Sequence, residues 1–391
     1  MTSGAPRVTP IVSDSPGSFA WGVWNQRHPV LIKQIRDAYP YPPAAHEALE
    51  ALLAESIAGD IQKLPSDVHD FAMWEQWCDD QYGRPWAQAP FLWAESYFYR
   101  RVLEAVGYFR PGPLRGVDTF APFKQAELAT PLVETELTAL DALAGLGLSD
   151  QRHAVLTASL WGNRADLGFR ITAKGPDHGA PEADLIVDDS ATAWVILDDA
   201  PSAVVHLVAD NAGRELLADL VLIDHLLTTG AAVQVVLHVK PQPYYVSDAN
   251  GSDVVDVTRR IAAAPGDAAD IGHRLWAALT DGTLQLRTHA FWCAPLPFDR
   301  MPTDLVMELS KATLTILKGD LNYRKLVGDC TWPATTPFGE LTSYFPSPVA
   351  ALRTLKSDVA VGIGLAELEQ LDASGAQWRT DGTHALIQVR K

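Results

Sequence analysis

Cysteine is scarce in this chain: Cys78, Cys293 and Cys330 are the only three among 391 residues. No two of them form a Cys-x-x-Cys pair, which leaves out a zinc knuckle or dithiol redox motif and makes reduced thiols in a cytoplasmic protein the expectation. Positive charge is also short. Lys and Arg number 31 against 48 Asp and Glu, a net charge of -17, so the chain as a whole repels nucleic-acid backbones and anionic membrane surfaces. A small anionic substrate is compatible with that balance, because a few inward-facing cations or a metal reverse the field locally. Long apolar runs are missing too. Met1 to Ala20 carries Pro, Ser, Gly and Asp where an export signal needs an unbroken apolar stretch, and no later segment reaches the length of a membrane span. A dinucleotide fingerprint is incomplete as well, since Gly362-Ile363-Gly364 lacks the third glycine.

What is present is a composition that is 47% hydrophobic, enough to bury a large core in one extended domain or two packed ones. Residues 1 to about 30 are rich in Pro, Ser and Gly and read as an extended lead-in. Residues 31–130 then read as a helical subdomain, clearest at His46 to Leu53 and Leu92 to Leu103, with Trp74, Trp77, Trp86 and Trp93 as packing anchors. A further helix is expected over Leu132 to Leu146. In residues 131–391 short β-branched runs alternate with helical ones: strand Ala203 to Ala209, helix Glu215 to Thr228, strand Ala232 to His238. That is a βαβ unit with parallel strands. Further strands are expected at Ala290 to Cys293, Leu314 to Leu317, Val359 to Ile363 and Ala385 to Val389, with helices near Ile271 to Leu279 and Asp304 to Ala312. The fold class expected is α/β, a three-layer α/β/α sandwich on a largely parallel sheet.

Chemistry in such a sheet collects beyond the carboxyl ends of the strands. Asp210-Asn211-Ala212-Gly213-Arg214-Glu215 closes one strand there, and Ser247-Asp248 follows the next. Asp and Asn offer hard oxygen ligands for a divalent cation; the plainer alternative is helix capping, with Glu215 complementing the helix dipole. Lys318-Gly319-Asp320-Leu321-Asn322-Tyr323-Arg324-Lys325 follows a third strand and gathers an acid, an amide, a phenol and three cations, which otherwise read as a polar helix start. Arg353-Thr354-Leu355-Lys356 is expected to precede the strand at Val359, its plain reading a basic helix end. Arg holds phosphate oxygens bidentately and Lys acts on them as a point charge. Trp161-Gly162-Asn163-Arg164-Ala165-Asp166 could send Asn163 or Asp166 into the cleft, or form a turn. His206, His225, His238 and His289 have no Ser or Cys nucleophile at a diagnostic spacing and read as packed, hydrogen-bonded histidines.

Taken together these blocks resemble the damage-control phosphatases, the family once termed domain of unknown function 89, in the branch like acidic residue methyltransferase 1. Residues 161–167, 210–216, 246–248 and 318–326 carry the likeness, and Arg353-Thr354-Leu355-Lys356 fits the Arg-Thr-x-Lys signature of that branch. The resemblance implies a metal-dependent phosphatase. By it, Asp210, Asn211 and Asp248 match metal ligands, with manganese, cobalt or nickel as the ion. Asp320, Asn322, Tyr323 and Arg324 match the substrate loop, Lys356 a phosphate-contacting lysine, and Glu215 a cleft acid. Fructose 1-phosphate, fructose 6-phosphate and related sugar phosphates are the implied substrates. Arg214, where an aromatic residue is common, and Tyr244-Tyr245, in place of Trp-Phe, depart from the pattern beside the metal ligands and bear on sugar identity.

The expected reaction is hydrolysis of a phosphate monoester, with Asp210, Glu215 and Asp320 as the catalytic candidates and Asp210 or water as nucleophile. Arg324 and Lys356 would neutralise the phosphoryl oxygens. Two other classes stay open: a methyltransferase acting on protein carboxylates with S-adenosylmethionine, and a non-catalytic protein that binds metal or sugar phosphate.

Overall fold

In the computed structural model, residues 8–78, 80–162 and 185–391 are described. A seven-stranded sheet forms the centre: β1 (Leu185–Asp188), β2 (Val204–Val208), β3 (Gln234–Val239), β4 (Leu284–Thr288), β5 (Leu314–Lys318), β6 (Val349–Thr354) and β7 (Ala385–Arg390). Their spatial order is β1-β7-β6-β5-β2-β3-β4. Every neighbouring pair is parallel except β6 with β7. The chain leaves β2 toward β3 on one side, while β5 pairs on β2's other side, so the strand order reverses at the β2–β5 junction. Open α/β sheets place their ligand crevice at such a junction.

Alternation along the strands divides the core between the two faces. Val205, Leu207, Val235, Leu237, Leu314 and Ile316 point to one side, and Val208, Leu317, Val349 and Ala351 to the other. The helices that cover or flank the sheet include α4 (Ala121–Leu128), α5 (Pro131–Ala139), α6 (Leu148–Trp161), α7 (Ser190–Asp198), α8 (Gly213–Thr228), α9 (Gly251–Ala262), α10 (Asp267–Asp281) and α11 (Gly319–Val327). Helix α8 is buried nearly throughout, because it lies between the sheet and the outer helices α6 and α9, and its Leu216, Leu220 and Ile223 are fully enclosed. Before them come α1 (His28–Ala38), α2 (Pro43–Ala58) and α3 (Phe91–Ala105), which build a separate aromatic core around Trp24, Trp74, Trp86, Tyr97 and Phe98. Among the described residues no helix is long and apolar enough to cross a membrane.

Several local expectations are corrected. Ala290–Cys293 is a 3-10 turn whose start is capped by the His289 side chain, not a strand. Residues 359–363 form no strand; Val359 and Val361 are apolar because they pack into the core as irregular chain, and the Val361 carbonyl takes its hydrogen bond from Gln388 at 2.8 Å. The strand in this region is β6, so Arg353 and Thr354 end a strand rather than a helix. β4 and β1 escape a pattern search because they are short edge strands with few buried residues. The lead-in is ordered well before residue 30: Ala20, Val23 and Trp24 belong to the aromatic core, and the Ile11 amide donates to the Asp329 carbonyl at 3.0 Å. The helix expected over Leu132 to Leu146 is α5 followed by a 3-10 segment.

Arg324 on α11 joins the aromatic helices to the sheet. Its guanidinium donates twice to Asp329, at 2.8 and 2.9 Å, and to Glu95 of α3 at 3.1 Å, and it lies 4.8 Å from the centre of the Phe91 ring. Both partners are buried or nearly so. Removing one member of a buried pair leaves uncompensated charge. Arg324→Met is therefore expected to lower stability by about 3–5 kcal/mol in urea denaturation, whereas a change within about 0.5 kcal/mol, the size of an ordinary surface substitution, would show that this pair does not hold the two parts together.

Candidate functional site

Four neighbouring strands, in the spatial order β3-β2-β5-β6, deliver the candidate residues to one edge of the sheet. Asp210 and Asn211 follow β2, Asp248 follows β3, Gly319 and Asp320 follow β5, and Lys356 follows β6. Asn211 and Asp248 pair through an isolated antiparallel bridge, and the Ala249 amide donates to the Asp210 carbonyl at 2.8 Å. Backbone pairing thus sets the two acidic positions side by side although they are far apart in sequence.

Asp210 is 6% exposed and Asp248 2%. Burial, with Glu215 and Asp248 nearby, pushes the Asp210 carboxyl well above the usual carboxylate range. Asp248 is also raised by burial, with Lys240 opposing. The Asn211 amide donates to Asp210 at 3.1 Å and to Glu215 at 2.9 Å, and its oxygen accepts from the Ser247 hydroxyl at 2.5 Å. The fit against α11 is close: Gly319 has φ +82°, and a Cβ there would lie 1.8 Å from Asp210 Oδ2. No side chain is compatible with that approach.

Lysines that close the strands answer these acids. Lys318, fully buried at the end of β5, lies 3.0 Å from Asp219 and 3.3 Å from Glu215, and also donates to the Ser159 carbonyl. Burial acts to lower its proton affinity, but Asp219 and Glu215 override that and raise it. Lys240, buried past the end of β3, acts on both Asp210 and Asp248, and the half-buried Lys356 acts on Asp210. Neither ammonium has a hydrogen-bond or ion-pair partner among the described residues. Lys240 and the Lys318–Asp219 pair are the contributors that sequence reasoning did not single out. Their signal is a lysine standing directly after an apolar strand.

The remaining candidates already have protein partners. Asp320 is gripped by Arg353, at 2.8 and 2.7 Å, and by the Ser357 hydroxyl at 3.0 Å. Against its burial, Arg353 and then Arg324 hold its carboxyl below the usual range. Asn322 spends its amide on the Lys318 and Ala209 carbonyls, at 2.8 and 3.2 Å. Tyr323 donates to Gln388 at 2.8 Å and stacks under Arg353, and burial pushes its phenol up to about 12. Arg324 is committed to Asp329 and Glu95. Arg214 donates to Glu136 at 2.8 Å, and Tyr244 donates to Ser96 at 2.7 Å, with Tyr245 packed between Tyr244 and Tyr99. Asn163 and Asp166 lie outside the described residues.

Fold and site together define an α/β protein with buried carboxylates and uncommitted ammoniums at the carboxyl edge of a parallel sheet, the arrangement of an enzyme that handles a small anion. The chain belongs to the damage-control phosphatase ARMT1-like family, whose domain profile matches residues 23–371. It is 29% identical to the mouse protein named damage-control phosphatase ARMT1, over 95% of this chain and 96% of that one. It is 30% identical to the human protein of that name, over 95% and 96%. A crystal structure of a DUF89 family protein from Pyrococcus horikoshii superposes with a TM-score of 0.53 at 13% identity, covering 95% of this chain and 98% of that one, which bears on the fold. Membership supports a phosphatase acting on a small phosphorylated metabolite.

The raised Asp210 carboxyl has a consequence for stability. In the folded protein the group keeps its proton to higher pH than in the unfolded chain, so its contribution is lost as pH rises from about 4, where an unperturbed Asp titrates, toward the folded value. Asp210→Asn is expected to raise the urea midpoint of chelator-treated protein at pH 8 and to change it little at pH 4. A lower midpoint at pH 8 would show that the neighbouring cations already satisfy the carboxylate.

Proposed function

We propose that this chain hydrolyses phosphate monoesters of small metabolites, sugar phosphates such as fructose 1-phosphate or fructose 6-phosphate foremost, using a divalent cation held by Asp210, Asn211 and Asp248. The observation that carries this reading is the gathering of two buried carboxylates and two uncommitted ammoniums from the ends of β2, β3 and β6 at one edge of the sheet. Two carboxylates raised by burial, Asp210 also by Glu215 and Asp248 beside it, suit a hard cation, which offsets these costs. Asn211 fits the same set. Its amide nitrogen faces Asp210 and Glu215 while its oxygen faces Ser247, and turning the amide over exchanges the two ends, since a serine hydroxyl accepts as readily as it donates. Oxygen donors with one amide suit manganese, cobalt or nickel. When bound, the cation would neutralise phosphoryl charge and activate the attacking group.

The chain's own residues divide the remaining work. Lys356 supplies a point charge to the phosphoryl oxygens, where charge spreads in the transition state. Asp320, kept ionised by Arg353, accepts hydrogen bonds from sugar hydroxyls. Glu215, tied to Lys318 and Asn211, is our candidate to move a proton, with Asp320 the other. Asn322, Tyr323 and Arg324 hold α11 so that Gly319 stays against Asp210. Arg214 and the Tyr244-Tyr245 pair flank the metal ligands and bear on which sugar fits.

Chelator-treated protein restored with manganese, cobalt or nickel is expected to release inorganic phosphate from a sugar-phosphate panel, and Asp210→Ala to abolish release. Lys356→Met is expected to weaken substrate use by about 10- to 100-fold, the loss of one hydrogen bond to a charged group. Metal-dependent release that survives Asp210→Ala would sink the site assignment. Methyl transfer from S-adenosylmethionine to protein carboxylates without phosphate release would favour the methyltransferase, and tight metal binding without turnover the non-catalytic binder.

A further inference from the structure

The sheet face away from α8 holds a polar cluster that this reading does not use. His206 on β2 and His238 on β3 lie on the same face as Val208, because strand residues two apart share a side. The register pairs Val208 with His238, so the two imidazoles sit one step apart on adjacent strands and meet at 2.9 Å, Nδ1 of His206 against Nε2 of His238. Both are buried, at 3% and 1% exposure. Glu308, on the short helix Thr303–Leu309, reaches them from the rim: one nitrogen of each ring and a Glu308 carboxylate oxygen all lie within 4.8 Å of one another.

A structural role accounts for this cluster poorly. Each neutral imidazole has one donor and one acceptor, yet His238 leaves its Nδ1 buried without a hydrogen-bond partner, which costs the desolvation of that group. Leu305, Leu309, Phe291 and Trp292 around the pair are apolar, and a hydrophobic residue would fill either position at lower cost. Burial first, and then Lys311 and Arg287, lower the His206 pKa to about 4, and burial with His206 lowers His238 to about 3, so both rings are neutral near pH 7. Neutral imidazole is the form that binds metals.

We propose that His206, His238 and Glu308 form a second divalent-cation site, separate from Asp210 and selective for a borderline ion such as zinc. Two imidazoles and one carboxylate are a zinc-type donor set, and the half-exposed Glu308 leaves room for water as a fourth ligand. The cations facing the cluster are Arg287 and Lys311, with His289 acting on His238. Arg287 stops 4.0 Å from Glu308 and is itself more than half exposed, so it is a weak competitor for that carboxylate. An ion here would clip β2, β3 and the Thr303–Leu309 helix together. The proposal does not depend on the phosphatase reading.

Zinc and cobalt(II) binding to the full chain, stripped by chelator and dialysed, tests it. In a background of Asp210→Asn with Asp248→Asn, about one equivalent of zinc should still bind tightly, and cobalt(II) should give the intense visible bands of a four-coordinate site. Both should disappear with His206→Gln and with Glu308→Gln; the second changes a side chain at the rim and tests the site even if the buried variant fails to fold. Zinc well below one equivalent in the Asp210/Asp248 background overturns the proposal. So does one equivalent that persists in Glu308→Gln, which would place the ion elsewhere.

Discussion

Charge buried at the strand ends is the constraint on which this molecule depends. Asp210, Glu215, Asp219 and Asp248 are withdrawn from water around the β2–β5 junction, and carboxylates so placed repel one another and miss their hydration. Lys318, Lys240 and Lys356 arrive from the ends of β5, β3 and β6 and offset that cost in part. Only Lys318 is saturated. The balance left at Asp210 and Asp248 is the charge that the proposed cation would offset, at a cost in stability that proteins accept where function needs it.

The layers around the edge serve to keep it registered. Helix α8, enclosed on all sides, sets the direction in which Asp210 and Glu215 leave β2. Helix α11 stands so close that only glycine fits at 319, and Asn322 ties its first turn to the carbonyls at the end of β2. Arg324 reaches across to the aromatic helices, so displacing them would shift α11 and the Asp210 contact. Tyr244 and Ser96 make a second such link, between the loop that bears Asp248 and α3. The helical N-terminal part is therefore the wall of the site as well as a core of its own.

Much of this was legible along the chain. The β2-α8-β3 unit showed in its periodicity, and the acid blocks after β2, β3 and β5 fell where a parallel sheet gathers its loops. Illegible were the strands that do not alternate. β6 reads as Val-Ala-Ala-Leu-Arg-Thr because it is covered on both faces, while Val359 and Val361 mimic a strand because core-packed irregular chain selects the same side chains. Also hidden was the fate of Asn322, Tyr323 and Arg324. Residue type marks them as polar groups in a site loop, but a helix turns each to a different side, and all three meet protein partners there.

By itself, then, the sequence determined the donor chemistry on offer: hard oxygen donors and cations in loops that follow apolar strands, on a chain of net charge -17. Tertiary structure alone decided which of those charges remain available. Whether a lysine neutralises a neighbour, as Lys318 does, or stays uncommitted, as Lys240 and Lys356 do, depends on distances of a few ångströms between strands remote in sequence. Electrostatic energy falls with separation and rises with burial, and neither separation nor burial is a property of one residue or of its neighbours along the chain.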